Sequence, residues 1–340
     1  MKIFITNIIR FSAFGIIFII ILGLPYLYFD PFKVLYDYNS FYETTAVTLD
    51  KDYVSTETFI KNSENLDYNS FILGNSRSIF YQVSDWKKHL NNNAICFHFD
   101  ASAESLWALN KKVEYIDKKG NNIQNILLIL DYSILIQDKP NTGHLFIISP
   151  ALVGESNIVE FHRTFFLAFL TPKFLYAFFD YKISGKVKPY MKKGSLLDDR
   201  PLDYDLSTNE ERFDYFENQI KENENIYYSQ QRLSVFYPRD TTNQKFSKKC
   251  IYNSQKTLLE NIATITKKHN TKIKVIINPL YDQLKLDESD LKYLKSTFGA
   301  ENVFDFSGIN KFTNDYRNYY ETSHYRPQVA REILSIVYEE

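Results

Sequence analysis

Five short apolar runs with helical sequence patterns between them constrain the fold of this 340-residue chain more than any other feature. They are Ser70–Leu73, Ala94–Phe99, Asn125–Leu130, Ile273–Ile277 and Val303–Phe306. Helices are expected over Ser78–Leu90, Ala103–Lys119 (closed by Gly120 as a C-terminal cap), Cys250–His269, Glu288–Phe298 and Gln328–Tyr338. Strands alternating with helices predict an α/β fold whose parallel sheet is covered on both faces. Ligands of such sheets bind at the carboxyl ends of the strands. Ser76, Asp100 and Asp131 fall just past three of those ends.

The alternation is interrupted between the third and fourth runs. Residues 138–248 read as a helical insertion over the sheet edge, dispensable for the sheet and used for substrate choice. Within it, Ile158–Tyr181 is rich in Phe and Leu. It also carries His162, Arg163, Pro172 and Lys173, which argue against a membrane span. A buried helical hairpin is the plain reading, and an amphipathic cap at a membrane surface the sharper one. Lys182–Asp205 reads as a loop. Ser207–Arg232 has helix-forming composition, with Ser207 and Glu210 spaced as a capping box.

The N-terminus sets the topology. Phe11–Tyr28 is uncharged and about long enough to cross a bilayer as a helix. Lys2 and Arg10 precede it, which places the N-terminus in the cytoplasm and the rest outside. No small-x-small cleavage site follows, so residues 1–30 are expected to remain as an anchor, with 31–66 as a juxtamembrane connection. A formal net charge of −1 gives no basic excess for nucleic acid. Cys96 and Cys250 are too few for a disulfide framework. The 26 tyrosines and 28 phenylalanines are enough to fill a core, with a glycan-binding groove as their second use.

Two local motifs carry chemistry. In Ser70–Phe80, SFILGNSRSIF, the strand breaks at Gly74–Asn75 and Ser76 follows at the strand–turn–helix corner. Such a corner lifts a hydroxyl clear of the sheet, where a nucleophile belongs. The alternative use of that serine is to cap the next helix. In Tyr319–Pro327, YYETSHYRP, Glu321 stands three residues before His324. An acid so placed can accept the ring N–H and fix the tautomer. The alternative is a surface loop with an incidental histidine. Asp100, Asp131, Asp305 and Glu321 match no metal-ligand spacing, so no metal and no cofactor are expected. Arg77 and Arg326 flank the two motifs and suit either an anionic group or surface ion pairs.

Together the motifs resemble the SGNH (GDSL-like) hydrolase superfamily, over roughly Asp67–Ile136 and Ile251–Glu340. The layout is similar to membrane-anchored SGNH-like proteins of bacterial surface-polysaccharide loci, as in alginate O-acetylation and teichoic-acid D-alanylation. The resemblance implies a three-layer, flavodoxin-like sheet fold at 67–340 behind an N-terminal transmembrane helix, exported to the periplasm or cell surface. It implies an esterase or O-acetyl transferase with Ser76 as nucleophile, His324 as base and Glu321 as its partner. The substrates would be a cell-surface polysaccharide and its acyl donor, and a transferase would work with a membrane-embedded acyltransferase. Three positions depart from the family. Glu321 stands for Asp, Ala103 lies near the place of a glycine, and Asp131 replaces an oxyanion-binding asparagine. A carboxylate cannot donate a hydrogen bond. Asn75, Arg77 and Asn278 are the remaining side chains near the expected oxyanion and substrate site. The departures motivate a second reading, a catalytically degraded glycan-binding or assembly factor.

Overall fold

The five apolar runs become the five strands of one sheet: β1 (Ser70–Gly74), β2 (Cys96–Asp100), β3 (Asn125–Leu130), β4 (Lys272–Ile277) and β5 (Val303–Asp305). All pair in parallel, in the order β2-β1-β3-β4-β5. In this computed structural model the described residues are 2–42, 45–154, 157–194 and 196–339. The longer helices, in chain order, are α1 (Lys2–Phe29), α2 (Lys51–Asn62), α3 (Leu106–Lys118), α4 (Ile158–Phe169), α5 (Pro172–Ser184), α6 (Asp214–Glu222), α7 (Asn253–Lys268), α8 (Glu288–Phe298) and α9 (Pro327–Glu339).

Side chains alternate across a strand, so each strand feeds two cores. Phe71, Leu73, Phe97, Phe99, Ile126 and Leu128 join one cluster with Phe59 of α2, Leu109 and Val113 of α3, and Leu259 and Ile262 of α7. Ile72, Leu127, Ile129 and Ile276 join the other, with Trp86 and with Val329, Ile333 and Val337 of α9. Helices therefore cover both faces. Each fully buried Leu or Phe on these faces stabilises the fold by about 1.5–3 kcal/mol. Gly74 closes β1 where space is shortest, because a Cβ there would lie 2.8 Å from the Ser78 Cβ and 3.0 Å from the Ile129 carbonyl oxygen.

The chain divides into two units. The sheet unit comprises Lys51–Thr142, Phe146–Gly154 and Pro201–Glu340; the other comprises Met1–Asp50, Gly143–Leu145 and Glu155–Arg200. The sheet unit thus begins at Lys51, ahead of the expected boundary at Asp67, because Phe59 of α2 is wholly buried in its core. In the other unit, the ring of Tyr26 in α1 sits 5.3 Å from each of Phe166 and Phe169 of α4. The helical hairpin expected from Ile158–Tyr181 is present as α4 and α5, broken where Pro172 starts the second helix. Among the described residues no helix is long and apolar enough to cross a membrane. The side chains of residues 13–21, the middle of the expected anchor, lie outside the described part.

Three expectations need correction. The helix over Ser78–Leu90 is instead three short pieces, Ser78–Phe80, Val83–Trp86 and Lys87–His89. Ser78, Phe80, Tyr81, Val83 and Trp86 are all buried, a spacing that no single helical face can present. Ser207–Arg232 does not start as a helix either. Glu210–Arg212 pairs antiparallel with Asp203–Asp205, and the Ser207 hydroxyl donates to Asp205 at 2.6 Å. Finally, the insertion is not one piece: 155–200 fall in the other unit, whereas its part from Pro201 onward belongs with the sheet unit. Phe213, Ile220, Tyr227 and Tyr228 lie in the second core, and Asn209 donates to the His98 carbonyl at 2.8 Å.

Candidate active site

Strand order reverses between β1 and β3, and such switch points open a crevice at the strand carboxyl ends. Ser76 follows β1 there and Asp131 follows β3. The turn after β1 is tight, with the Ser78 N–H donating to the Asn75 carbonyl at 2.8 Å. Beneath it the Ser78 hydroxyl sits 2.9 Å from His98 Nε2, and burial holds that imidazole down at about 4, hence neutral near pH 7.

From the far end of the chain, an antiparallel hairpin of Tyr319–Glu321 and His324–Tyr325 reaches the same place and sets Glu321 opposite His324. His324 Nε2 lies 3.0 Å from the Ser76 hydroxyl oxygen, and Nδ1 contacts Glu321 Oε1. The extra methylene of glutamate is absorbed because the Ser323 N–H holds the other carboxylate oxygen at 2.7 Å. Burial pushes the Glu321 carboxyl up, but the hydrogen bond and charge of His324 outweigh it, and the group stays below the usual range. An ionised carboxylate only accepts, so Nδ1 carries the proton and Nε2 offers its lone pair to Ser76. The side chains of His324 and Glu321 remain 33% and 34% exposed, open to a substrate.

The other four candidates also converge, on Asp131. Asn75 Nδ2 donates to Asp131 Oδ2 at 3.0 Å, Arg77 Nη1 at 2.8 Å and Asn278 Nδ2 at 3.5 Å. Asn75 and Asn278 thus each turn their side-chain amide nitrogen toward a carboxylate. Burial raises the Asp131 carboxyl, yet Arg77, Ser133 and Asn75 together hold it below its ordinary value, so it is ionised. Arg77 also donates from Nε to the Ser323 carbonyl at 3.1 Å, tying the nucleophile turn to the histidine hairpin. Arg77 Nη2 and the Ser76 N–H make no hydrogen bond among the described residues. Among the described residues, no three His, Cys, Asp or Glu side chains converge as metal ligands.

Arg326 lies elsewhere than the anion-binding role allows. It is 8% exposed and holds Glu217 of α6 through Nε at 2.9 Å and Nη2 at 2.7 Å. The Tyr320 hydroxyl donates to the same carboxylate at 2.6 Å, and the Tyr228 hydroxyl lies 2.8 Å from the Tyr319 carbonyl oxygen. The insertion therefore clamps the hairpin that carries Glu321 and His324. Glu217→Ala would leave the Arg326 charge buried and unpaired. It is expected to lower ester turnover by about 10- to 100-fold, as misplaced catalytic groups do. Steady-state kinetics beside a thermal melt would check this, and unchanged turnover would show the hairpin holds itself.

Tyr325 was missed from the sequence although it adjoins His324. Its hydroxyl lies 2.8 Å from both the Arg77 carbonyl and Asn278 Oδ1, fixing the floor of the site. Ser133 and Ser323 were missed as well; both act through local turns. No protein-family model, curated protein or solved structure matches the chain.

Proposed function

We propose that the chain is a serine acyl hydrolase or O-acyltransferase of the SGNH type, carried by the Ser76–His324–Glu321 relay. Ser76 attacks an ester carbonyl while His324 Nε2 takes its proton. The tetrahedral intermediate collapses, the C–O bond to the leaving alcohol breaks, and His324 returns the proton to that oxygen. Water or a sugar hydroxyl, deprotonated in turn by His324, then attacks the acyl-Ser76 carbonyl; the acyl–Oγ bond breaks and His324 returns that proton to the Ser76 oxygen. The Ser76 N–H and the unengaged edge of Arg77 are the donors available to the developing oxyanion.

The strand order and the two covered faces are what a flavodoxin-like, three-layer SGNH domain would have. The uncharged run Phe11–Tyr28 supports an anchored, extracytoplasmic protein acting on a cell-surface polysaccharide, with a membrane-embedded acyl-carrying partner in the transferase version. The ionised Asp131 favours the second reading, a degraded glycan-binding or assembly factor, because it removes a donor from the oxyanion site. A fluorophosphonate probe separates the two. Labelling of the full chain that disappears in Ser76→Ala is expected; an unlabelled wild-type protein with intact folding would leave only the binding role.

A further inference from the structure

The turns after α6 form an open depression of about 640 Å³, within the usual size of ligand sites, that is joined to the hairpin of Glu321 and His324 through Arg232. Its wall includes Gln219, Asn223, Gln231, Tyr227 and Arg232. Arg232 Nη1 reaches the Tyr320 carbonyl, one residue before Glu321, through a single long hydrogen bond of 3.4 Å. The same guanidinium lies over the Tyr227 ring at 4.5 Å. Tyr227 is 7% exposed, and its hydroxyl is buried without a partner among the described residues.

These groups have a common chemistry. The side-chain amides of Gln219 and Gln231, and Asn223 Nδ2, are exposed and make no hydrogen bond among the described residues, so the wall offers both donors and acceptors beside the apolar Ile226 and Val235. Arg232 offers a planar fork of donors, and Glu222 stands at the same wall. A wholly apolar ligand would displace water from these polar groups without replacing its hydrogen bonds, and an anion would meet Glu222. A ring bearing several hydroxyls, each both donor and acceptor, satisfies them. A ring hydroxyl at this wall also supplies the orphaned Tyr227 hydroxyl with the partner that a buried polar group needs.

We propose that this depression is a binding subsite for a neutral, polyhydroxylated saccharide unit, held by Arg232, Tyr227 and the amides of Gln219, Asn223 and Gln231 beside the catalytic hairpin. It rests on the acyl-transfer reading only for its role as the place where the sugar waits. Binding itself does not need Ser76, so the experiment is run on the full chain carrying Ser76→Ala. Saturation-transfer NMR would be recorded with three probes: a glucose tetrasaccharide, an N-acetylglucosamine tetrasaccharide and a glucuronate-containing tetrasaccharide. Transfer to at least one neutral probe is expected, weakened about tenfold or more by Arg232→Ala and measurably by Tyr227→Phe. Tyr227→Phe removes only a hydroxyl that has no partner, so the fold is retained in that variant. Transfer to the glucuronate probe alone, to none of the three, or undiminished in both variants would overturn the proposal. Loss of fluorophosphonate labelling would sink the serine chemistry and leave this result standing.

Discussion

Replacing His324 with Ala is expected to lower ester turnover by about 10,000-fold or more, whereas Glu321→Gln should leave a measurable remainder. The difference follows from what each group touches. His324 Nε2, at 3.0 Å from the serine oxygen, is the base nearest that proton, so its loss removes both proton transfers of the cycle. Glu321 acts one atom further out. Its contact with Nδ1 sets which nitrogen carries the proton and steadies the imidazolium as it forms. A glutamine in its place can still accept through its carbonyl oxygen but carries no charge. A loss of roughly 100- to 10,000-fold is therefore expected for Glu321→Gln. Because Glu321 is held below the usual carboxylate range, its contribution should persist from neutral pH down through mildly acid conditions. The measurement is turnover of a small chromogenic ester across pH 5–8, with folding checked by circular dichroism. Equal loss in both variants would mean the carboxylate holds the hairpin in place and has no separate part in the chemistry.

The sheet was legible because its determinants are local. A run such as Ile126–Leu130 has apolar residues on both faces and fits only a strand covered twice. The meeting of the candidate site residues was legible for the same reason: Ser76 and the Glu321–His324 pair each sit inside a short motif whose geometry a turn or hairpin dictates. What closes the site was not legible. Glu217 lies 109 residues from Arg326, and nothing around it distinguishes it from the other acids of α6. The segment after Ser207 failed for a different, local reason. Its composition suits a helix, but a short hairpin pairs Glu210–Arg212 with Asp203–Asp205, and the turn between them is anchored by Asn209 to the His98 carbonyl. At Asp131 the resemblance implies an asparagine in place of the acid. Only the structure shows that Asn75 and Asn278, read as side chains of the oxyanion and substrate site, are turned toward the carboxylate.

Arg77→Met is expected to destabilise the sheet unit by about 3–5 kcal/mol at pH 7, and Asp131→Asn in the same chain to restore most of that loss. Asp131 is 1% exposed and Arg77, at 2.8 Å, is the cation paired with it. Removing the guanidinium strands a buried negative charge, which costs more than the ion pair contributes over a neutral replacement. The pH dependence should reverse between the two proteins. In the wild type the folded-state value is depressed, so Asp131 contributes stability above the unfolded carboxylate pKa, and that contribution fades only as pH falls through the lower folded value. In Arg77→Met burial is opposed by neutral hydrogen bonds from Ser133, Asn75, Asn278 and the Ile134 N–H but by no paired cation, and the folded-state value should rise above the unfolded one. The folded variant then binds the extra proton, so its deficit against the wild type should shrink on going from pH 7 to pH 5. Urea unfolding of the four proteins of the double-mutant cycle at both pH values measures this. Rescue cannot be complete, because Arg77 also holds the Ser323 carbonyl at 3.1 Å. A deficit that is the same at both pH values and untouched by Asp131→Asn would place the role of Arg77 in that hairpin contact instead of in the neutralisation of Asp131.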